Sequence, residues 1–421
     1  MTTFSSQVAW TFATRVLMIF NSVVAGIIVA RWLGADGVGQ LAVINVAVAT
    51  IVQLGSFGLP SSNGYFIAQD QARFRSATVN SLIFALVAGS LLALGLSALA
   101  SLRPDWFGFV SPELIWIAAI SIPFQLLALI GLNILLAVGK VREFNLLDLA
   151  GQSFVLINAV LVLLVLKRGL ETLVTLNTAA SILVSVVIAS LLVISAKSLA
   201  RSEWRPDMAL LRRMIAYGIK FHVSILAGAI ILRADLLVVN HFRGAAEAGV
   251  YSVASQFGLL LMLLPGVIAT LLFPRVTAEQ DARGETTCTV TRYTTFVMFL
   301  CCLAAVPFSL LLPVLYGGAF SNATALLLIL LPGVYLMGLE SVLVQHFNAL
   351  GLPRAIPMYW VVTLVLNLIL VFALVPRFGA HGAAIASTIS YALIFMFVAL
   401  HFHTSTGRSF TEVFVLGSLR G

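Results

Sequence analysis

The stretch Arg31-Trp32-Leu33-Gly34-Ala35-Asp36-Gly37-Val38-Gly39 joins two long apolar runs, and it has a counterpart in the second half of the chain. His241-Phe242-Arg243-Gly244-Ala245-Ala246-Glu247-Ala248-Gly249 joins two more. Gly34 falls on Gly244, Ala35 on Ala245, Gly39 on Gly249 and Val43 on Val253. Further along, Pro123 and Pro332, Gly139 and Gly351, and Gly169 and Gly379 pair at offsets of 209 to 212, half the length of the 421-residue chain. A hydrophobic unit duplicated head to tail is a common construction of secondary transporters. The sequence therefore poses the question of what the chain moves rather than what it catalyses.

Composition points the same way. Hydrophobic residues make up 61% of the chain and charged residues 10%, with a mean hydropathy of +1.07. Soluble domains carry about 25% charged residues. A chain this apolar needs lipid as its solvent. The formal charge of +8 does not indicate nucleic acid, because the cations are scattered over short loops instead of clustered on one face. Cys288, Cys301 and Cys302 have neither metal-ligand nor redox spacing and read as packing residues. The first apolar run lacks a basic n-region, so no cleavable signal peptide is expected.

Apolar runs of about 18 residues or more can cross ~30 Å of hydrocarbon. Twelve are expected, at 6–30, 38–66, 77–101, 112–138, 146–166, 172–196, 214–240, 248–273, 288–315, 321–350, 356–375 and 382–404. The predicted fold is all-α and polytopic, with two six-helix bundles at 1–196 and 214–405, a linker at 197–213 and a short tail at 406–421. Fifteen Lys and Arg residues fall on the segments that share a side with the N terminus, and six on the opposite loops. By the positive-inside rule both termini are expected in the cytoplasm. Two halves of six spans each then start on the same side as parallel repeats, which rock about a central cavity in transporters of this kind.

The remaining cations, Arg15, Lys220 and Arg233, lie within spans. On the first span, Gln7, Thr11, Thr14, Arg15, Met18, Asn21 and Ser22 share one face at 100° per residue. A polar stripe with a deep arginine must avoid lipid, where it would cost several kcal/mol. It faces either a watery cavity, where Arg15 would meet substrate, or a partner helix, where Arg15 would bond backbone carbonyls. On the seventh span, Lys220, Ser224 and Asp235 fall on one side and His222, Arg233 and Asn240 on the other. Lys220 lies close enough to the membrane edge to snorkel. Glu340 on the tenth span can carry a coupling proton or bind a cation, or it can serve as a structural partner for an intramembrane arginine. Asp235 is the alternative coupling site. Pro123 and Pro332 occupy equivalent positions and suggest a shared kink. There is no phosphate-cradling loop, nucleophile elbow or His/Cys cluster, so no cofactor or metal is expected. His401 and His403 read as membrane-interface residues.

Several stretches together resemble a known family. They are Arg31-Trp32-Leu33-Gly34, Arg233-Ala234-Asp235, Gly249-Val250-Tyr251-Ser252-Val253-Ala254 and Leu272-Phe273-Pro274-Arg275. Asn348-Ala349-Leu350-Gly351-Leu352-Pro353-Arg354 and the run from Pro376 to Ser387 complete the set. In order and spacing they are similar to the polysaccharide, O-antigen-type flippases of the multidrug/oligosaccharidyl-lipid/polysaccharide exporter superfamily. The resemblance covers residues 1 to about 405 and implies the two-bundle fold of the multidrug and toxin extrusion (MATE) transporters. It also implies movement of an undecaprenyl-diphosphate-linked oligosaccharide across the bacterial inner membrane. The cationic cavity would be formed by Arg15, Asn21, Ser22, Lys220 and Arg233. Expected partners are the bilayer, that lipid-linked glycan, and a polysaccharide polymerase with chain-length machinery. Lipid II flippases carry two further spans, so that subgroup is not expected.

Three rivals stand beside this reading. A MATE-like ion-coupled antiporter would present acids or aromatics to cationic substrates, whereas three intramembrane cations here outnumber two acids. A membrane-embedded polymerase or glycosyltransferase would need a large loop with acidic or metal-binding residues, and the loops are short. A non-transporting scaffold is the third.

Overall fold

A computed structural model describes residues 4–108, 110–199 and 204–415. Among the described residues the chain is helical throughout and holds no strand. In the first half the helices are α1 (Phe4–Gly55), α2 (Leu59–Gln69), α3 (Phe74–Leu102), α4 (Pro112–Ala119), α5 (Ile122–Ala137), α6 (Val141–Ala159) and α7 (Leu170–Leu199). They are followed by α8 (Met208–Ile231), α9 (Ala234–Arg243), α10 (Ala245–Leu261), α11 (Leu263–Glu279) and α12 (Glu285–Ser309). The chain closes with α13 (Leu312–Tyr316), α14 (Asn322–Leu350), α15 (Ala355–Thr406) and α16 (Phe410–Phe414).

Ten helical segments among the described residues are long and apolar enough to cross a membrane. Two of them each hold two spans. Helices α1 and α15 are 52 residues long, about 78 Å at 1.5 Å per residue, more than twice the ~30 Å hydrocarbon thickness. Each is hinged at a glycine with non-helical backbone, Gly34 in α1 and Gly379 in α15. Ten segments with two hinges give the twelve expected passes.

The backbone carries the mark of the duplication. Gly34 has φ 68° and ψ −174°, and Gly244 has φ 89° and ψ 172°. That region is essentially closed to residues with a Cβ, so the two quoted stretches make the same turn for the same steric reason. Gly139 and Gly351 also share positive φ, at 76° and 116°. The prolines do not behave alike. In the first half the helix breaks between α4 and α5, two residues before Pro123, and Gly89 packs against that proline's backbone. Helix α14 runs unbroken through Pro332. The expected shared kink is present in one half only.

Contacts divide the chain into two compact units, Met1–Ala229 and Ile230–Gly421, with the division inside the seventh span. Helix α8 belongs mainly to the first unit. Its Gly218 lies against the backbone of Gly58, and Ser62 Oγ donates to the Met214 carbonyl at 2.6 Å. The turn at Leu232–Arg233 then separates α8 from α9.

The outward surfaces fit a lipid solvent. Along α3, Val87, Leu91 and Leu94 are 58%, 65% and 67% exposed, a stripe at helical spacing with no charge in it. In water such stripes would drive aggregation, whereas in hydrocarbon they carry no penalty.

Candidate functional site

The polar face of α1 meets α6. Asn145 Nδ2 donates to Thr11 Oγ1 at 2.8 Å. Arg15 Nη1 lies 3.0 Å from Asp148 Oδ2, and Asn21 Nδ2 donates to Ser153 Oγ at 3.0 Å. The Phe144 ring sits 5.9 Å from the Arg15 guanidinium carbon. Residue numbers rise together along both helices, so the first and fifth spans run parallel, as alternate crossing requires. The stripe read from the sequence therefore meets a partner helix. Arg15 finds a carboxylate there, not the backbone carbonyls expected of a partner helix. The pair is not sealed, since the Arg15 side chain is 39% exposed and that of Asp148 25%. Ser22 is half-buried on the same helix.

Sequence reasoning misses Asp148. It is the third residue of the run 146–166, close to a span edge, and hydropathy alone does not set it apart from the acids of the loops. With it, three cations face three acids, so the charge tally no longer separates a phosphate carrier from a cation antiporter.

In the second unit the seventh span is not one helix. Arg233 occupies the non-helical turn before α9, with φ −141° and ψ −24°. Asp235 therefore does not share a continuous helical face with Lys220 and Ser224. The Arg233 side chain is exposed. Arginine exposed at such depth needs water or an anion beside it. The side chain of Lys220 lies outside the described residues.

Asp235, expected as the alternative coupling site, sits at the centre of a buried cluster. Tyr251 donates its hydroxyl to Asp235 Oδ2, Ser387 Oγ donates to the same oxygen at 2.7 Å, and the Leu236 amide reaches Oδ1 at 2.8 Å. All three side chains are buried. The cluster joins the seventh, eighth and twelfth spans. Tyr251 and Ser387 both lie in the stretches that carry the family resemblance, which signals that they matter without saying how. Tyr391, one turn beyond Ser387, lines a small cavity with Ser255, Val334 and Met337.

Glu340 is 1% exposed on α14. Among the described residues its Oε1 has no hydrogen-bond partner. It is not brought together with Arg15, Arg233 or Asp235 by any hydrogen bond or ion pair among the described residues. A buried oxygen without a donor costs free energy unless a proton, a cation or water attends it. No group of three or more potential metal ligands occurs among the described residues.

A duplicated helical chain with acids and arginines inside its apolar spans is a polytopic membrane protein by architecture. The chain belongs to the polysaccharide biosynthesis protein family, whose model matches residues 28–325. This bears out the resemblance to the polysaccharide flippases of the exporter superfamily. The chain is 23% identical over 383 residues to the "Probable low-salt glycan biosynthesis flippase Agl15" of Haloferax volcanii, covering 86% of this chain and 76% of that one. Among solved structures it resembles the inward closed conformation of the lipid II flippase MurJ, with TM-score 0.74, 17% identity and coverage of 93% and 86%. It also resembles the MATE multidrug transporter DinF-BH, with TM-score 0.73, 16% identity and coverage of 98% and 96%. These likenesses establish the fold, which is the MATE-like architecture that the family resemblance implies.

Proposed function

We propose that this protein flips a polyprenyl-diphosphate-linked oligosaccharide across the bacterial inner membrane by alternating access, with both termini in the cytoplasm. The reading keeps two six-span repeats joined by the linker 197–213. It treats Arg15, Asn21, Ser22, Lys220 and Arg233 as the residues that receive the head group. The observation that carries it is the exposure of the Arg15 and Arg233 side chains within membrane spans. A guanidinium with an exposed edge inside a span is a geometric match for phosphate oxygens, which it can engage through two parallel N–H bonds. The lipid tail need never leave the bilayer, so only the head group requires a polar path. Glu340 or Asp235 couples the cycle to an ion, since an anionic head moving outward gains about 2.3 kcal/mol per charge per 100 mV and a cationic site offsets that gain as it reorients.

The test is depletion. When the protein is lost, a lipid-linked oligosaccharide should accumulate on the cytoplasmic leaflet, and re-expression should clear it. Unchanged leaflet distribution would sink the reading. The MATE-like antiporter remains the second reading, favoured by Asp148 beside Arg15. It requires that cells expressing the protein extrude cationic dyes, and that they stop when Asp148 is neutralised.

A further inference from the structure

The Arg15–Asp148 pair does not hold its two helices together alone. One turn before it, Asn145 bonds Thr11 at 2.8 Å, and beyond it Asn21 bonds Ser153 at 3.0 Å. Those neutral hydrogen bonds share the docking of α1 on α6 with the pair. The pair also engages only part of the guanidinium. Among the described residues Arg15 makes its polar contacts through Nη1, to Asp148 and more distantly to Met18 Sδ at 3.9 Å. The edge formed by Nε and Nη2 has no hydrogen-bond partner there. With the arginine 39% and the aspartate 25% exposed, an incoming anion can reach the one and water can take up the other.

We propose that Asp148 is a positioning residue that acts as an internal stand-in for phosphate. In the empty protein it holds Arg15 in the orientation the substrate needs, and it yields the guanidinium to a phosphate of the head group on loading. The inference rests on the flippase reading and adds to it the residue that competes with substrate. The exchange keeps Arg15 paired at every stage, which avoids the cost of an uncompensated charge in a poorly hydrated site. It also makes binding weaker than it could be. A carboxylate that must be displaced subtracts its own pair energy from the affinity, and for a half-exposed pair that is about 0.2–1 kcal/mol. Release benefits from the same competition, because Asp148 recaptures the arginine as the phosphate leaves.

The experiment uses the full chain in nanodiscs and measures binding of two probes, inorganic pyrophosphate and farnesyl diphosphate. Asp148→Asn should bind farnesyl diphosphate about two- to five-fold more tightly than the wild type. In proteoliposomes carrying a lipid-linked oligosaccharide it should show a lower KM together with a lower kcat. Arg15→Ala and Arg15→Ala/Asp148→Asn should bind the probe equally weakly, since Asp148 acts only through Arg15. Asp148→Glu should behave like the wild type. A merely structural Asp148 would give weaker or unchanged binding in Asp148→Asn, and either result overturns the proposal. If Asp148→Asn is unstable, the reversed pair Arg15→Asp/Asp148→Arg restores docking, and it should hold the probe within a few fold of the wild type. A reversed pair that folds and binds nothing also overturns the proposal. Tightening of pyrophosphate alone would point to free phosphate as the ligand and overturn the lipid-linked assignment. Wild-type protein that moves no lipid-linked oligosaccharide refutes the proposed function separately, whatever the binding arm reads.

Discussion

The two halves of the chain share their turns and differ in their charges. In the second half Asp235, Tyr251 and Ser387 form a buried hydrogen-bonded cluster. An offset of 210 places them on Ala25, Leu41 and Asn177. Ala25 is 3% exposed in an apolar cluster with Val29, Ala159, Val162, Leu163 and Leu173, and Leu41 packs against it. The converse holds for the pair in the first half. Arg15 maps to Ile225, and Asp148 maps to the segment Met358–Trp360, which holds no acid. Arg233 maps to Val23, and Glu340 to the apolar stretch 128–131. Duplication copied the backbone punctuation, where only glycine fits. The ionisable residues differ, one set per half. A scaffold residue should appear in both copies, whereas a residue that serves one step of a cycle need not.

The sharpest way to break that comparison is to move a charge to the wrong half. Ala25→Asp puts a carboxylate into the apolar cluster with none of the donors that Asp235 enjoys. An unpaired buried charge costs several kcal/mol, so this variant should fail to accumulate in membranes. Asp235→Ala should be milder, because it leaves no buried charge and the Tyr251 and Ser387 hydroxyls, 3.5 Å apart, can turn to each other. Thermal melting of both variants in detergent checks the order. Ala25→Asp that melts with the wild type would show the halves to be chemically interchangeable.

Loss of the span arginines comes next. Arg15→Ala and Arg233→Ala should each lower glycan export by tenfold or more, about 1.4 kcal/mol of transition-state stabilisation, at equal membrane abundance. Lys replacements should recover only part, since an ammonium is a point charge without the fork. The helices carrying the two arginines are repeat equivalents, but the residues are not, so their effects should differ in kind. Arg15→Ala frees Asp148 and should perturb the docking of α1 on α6, while Arg233→Ala, in an exposed turn, should leave stability unchanged. Export assays beside melting curves separate the two. Normal export in both variants would remove the arginines from the mechanism.

How much of this is legible in the sequence follows from what periodicity can report. The twelve passes and the two glycine turns are readable, because apolar length and backbone sterics are local properties. The stripe on the first span is readable as a face. Its partner is not, since a helical period says which residues point together but not what they meet. Asn145, Asp148 and Ser153 are spaced on α6 to fit that stripe, and no local signal marks them as its complement. The turn at Leu232–Arg233 is also hidden. Neither glycine nor proline marks it, so periodicity treats the seventh span as one helix and puts Asp235 on the wrong face. Pro332 fails in the opposite direction, because α14 continues through it.

Glu340 offers a smaller effect. It has no acid in the apolar stretch equivalent to it in the first half, and its Oε1 has no hydrogen-bond partner among the described residues. If it takes up the coupling proton, Glu340→Gln keeps the shape but cannot ionise. Flipping should slow a few fold and lose its response to external pH in proteoliposomes with an imposed gradient. A response like that of the wild type would exclude Glu340, and the same result for Asp235→Asn would exclude proton coupling through either acid.

The smallest effect lies where each half hands over to the segment that follows it. In the first half, Asn80 on α3 clasps the segment entering α8, donating to the Asp207 carbonyl at 2.7 Å and accepting from its amide at 3.0 Å. In the second, Arg292 on α12, which lies 212 residues after Asn80, donates to the Glu412 carbonyl from Nη2 and, at 3.1 Å, from Nε. Both clasps pin a capped helix start, at Asp207 in one case and at the Ser409–Glu412 capping box in the other. Hydrogen bonds from the Ser409 amide and then its side chain hold the Glu412 carboxyl below its ordinary value. A depressed carboxyl stabilises the folded form above the unfolded value of 4.5 and loses that contribution as pH falls through the lower folded value. Ser409→Ala removes half of the box, at a cost of about 1 kcal/mol. Opening of α16 should then increase about fivefold at pH 7, read as faster amide exchange at Val413 and Phe414. Measured against the wild type at the same pH, the difference should shrink as pH falls below 4.5 and through the lower folded value, where protonated Glu412 weakens the box in both proteins. Export should be unaffected, because Arg292 still holds the tail. Exchange that stays slow would show that the arginine clasp alone fixes the tail, and that the cap, unlike the clasp, is dispensable at this end of the repeat.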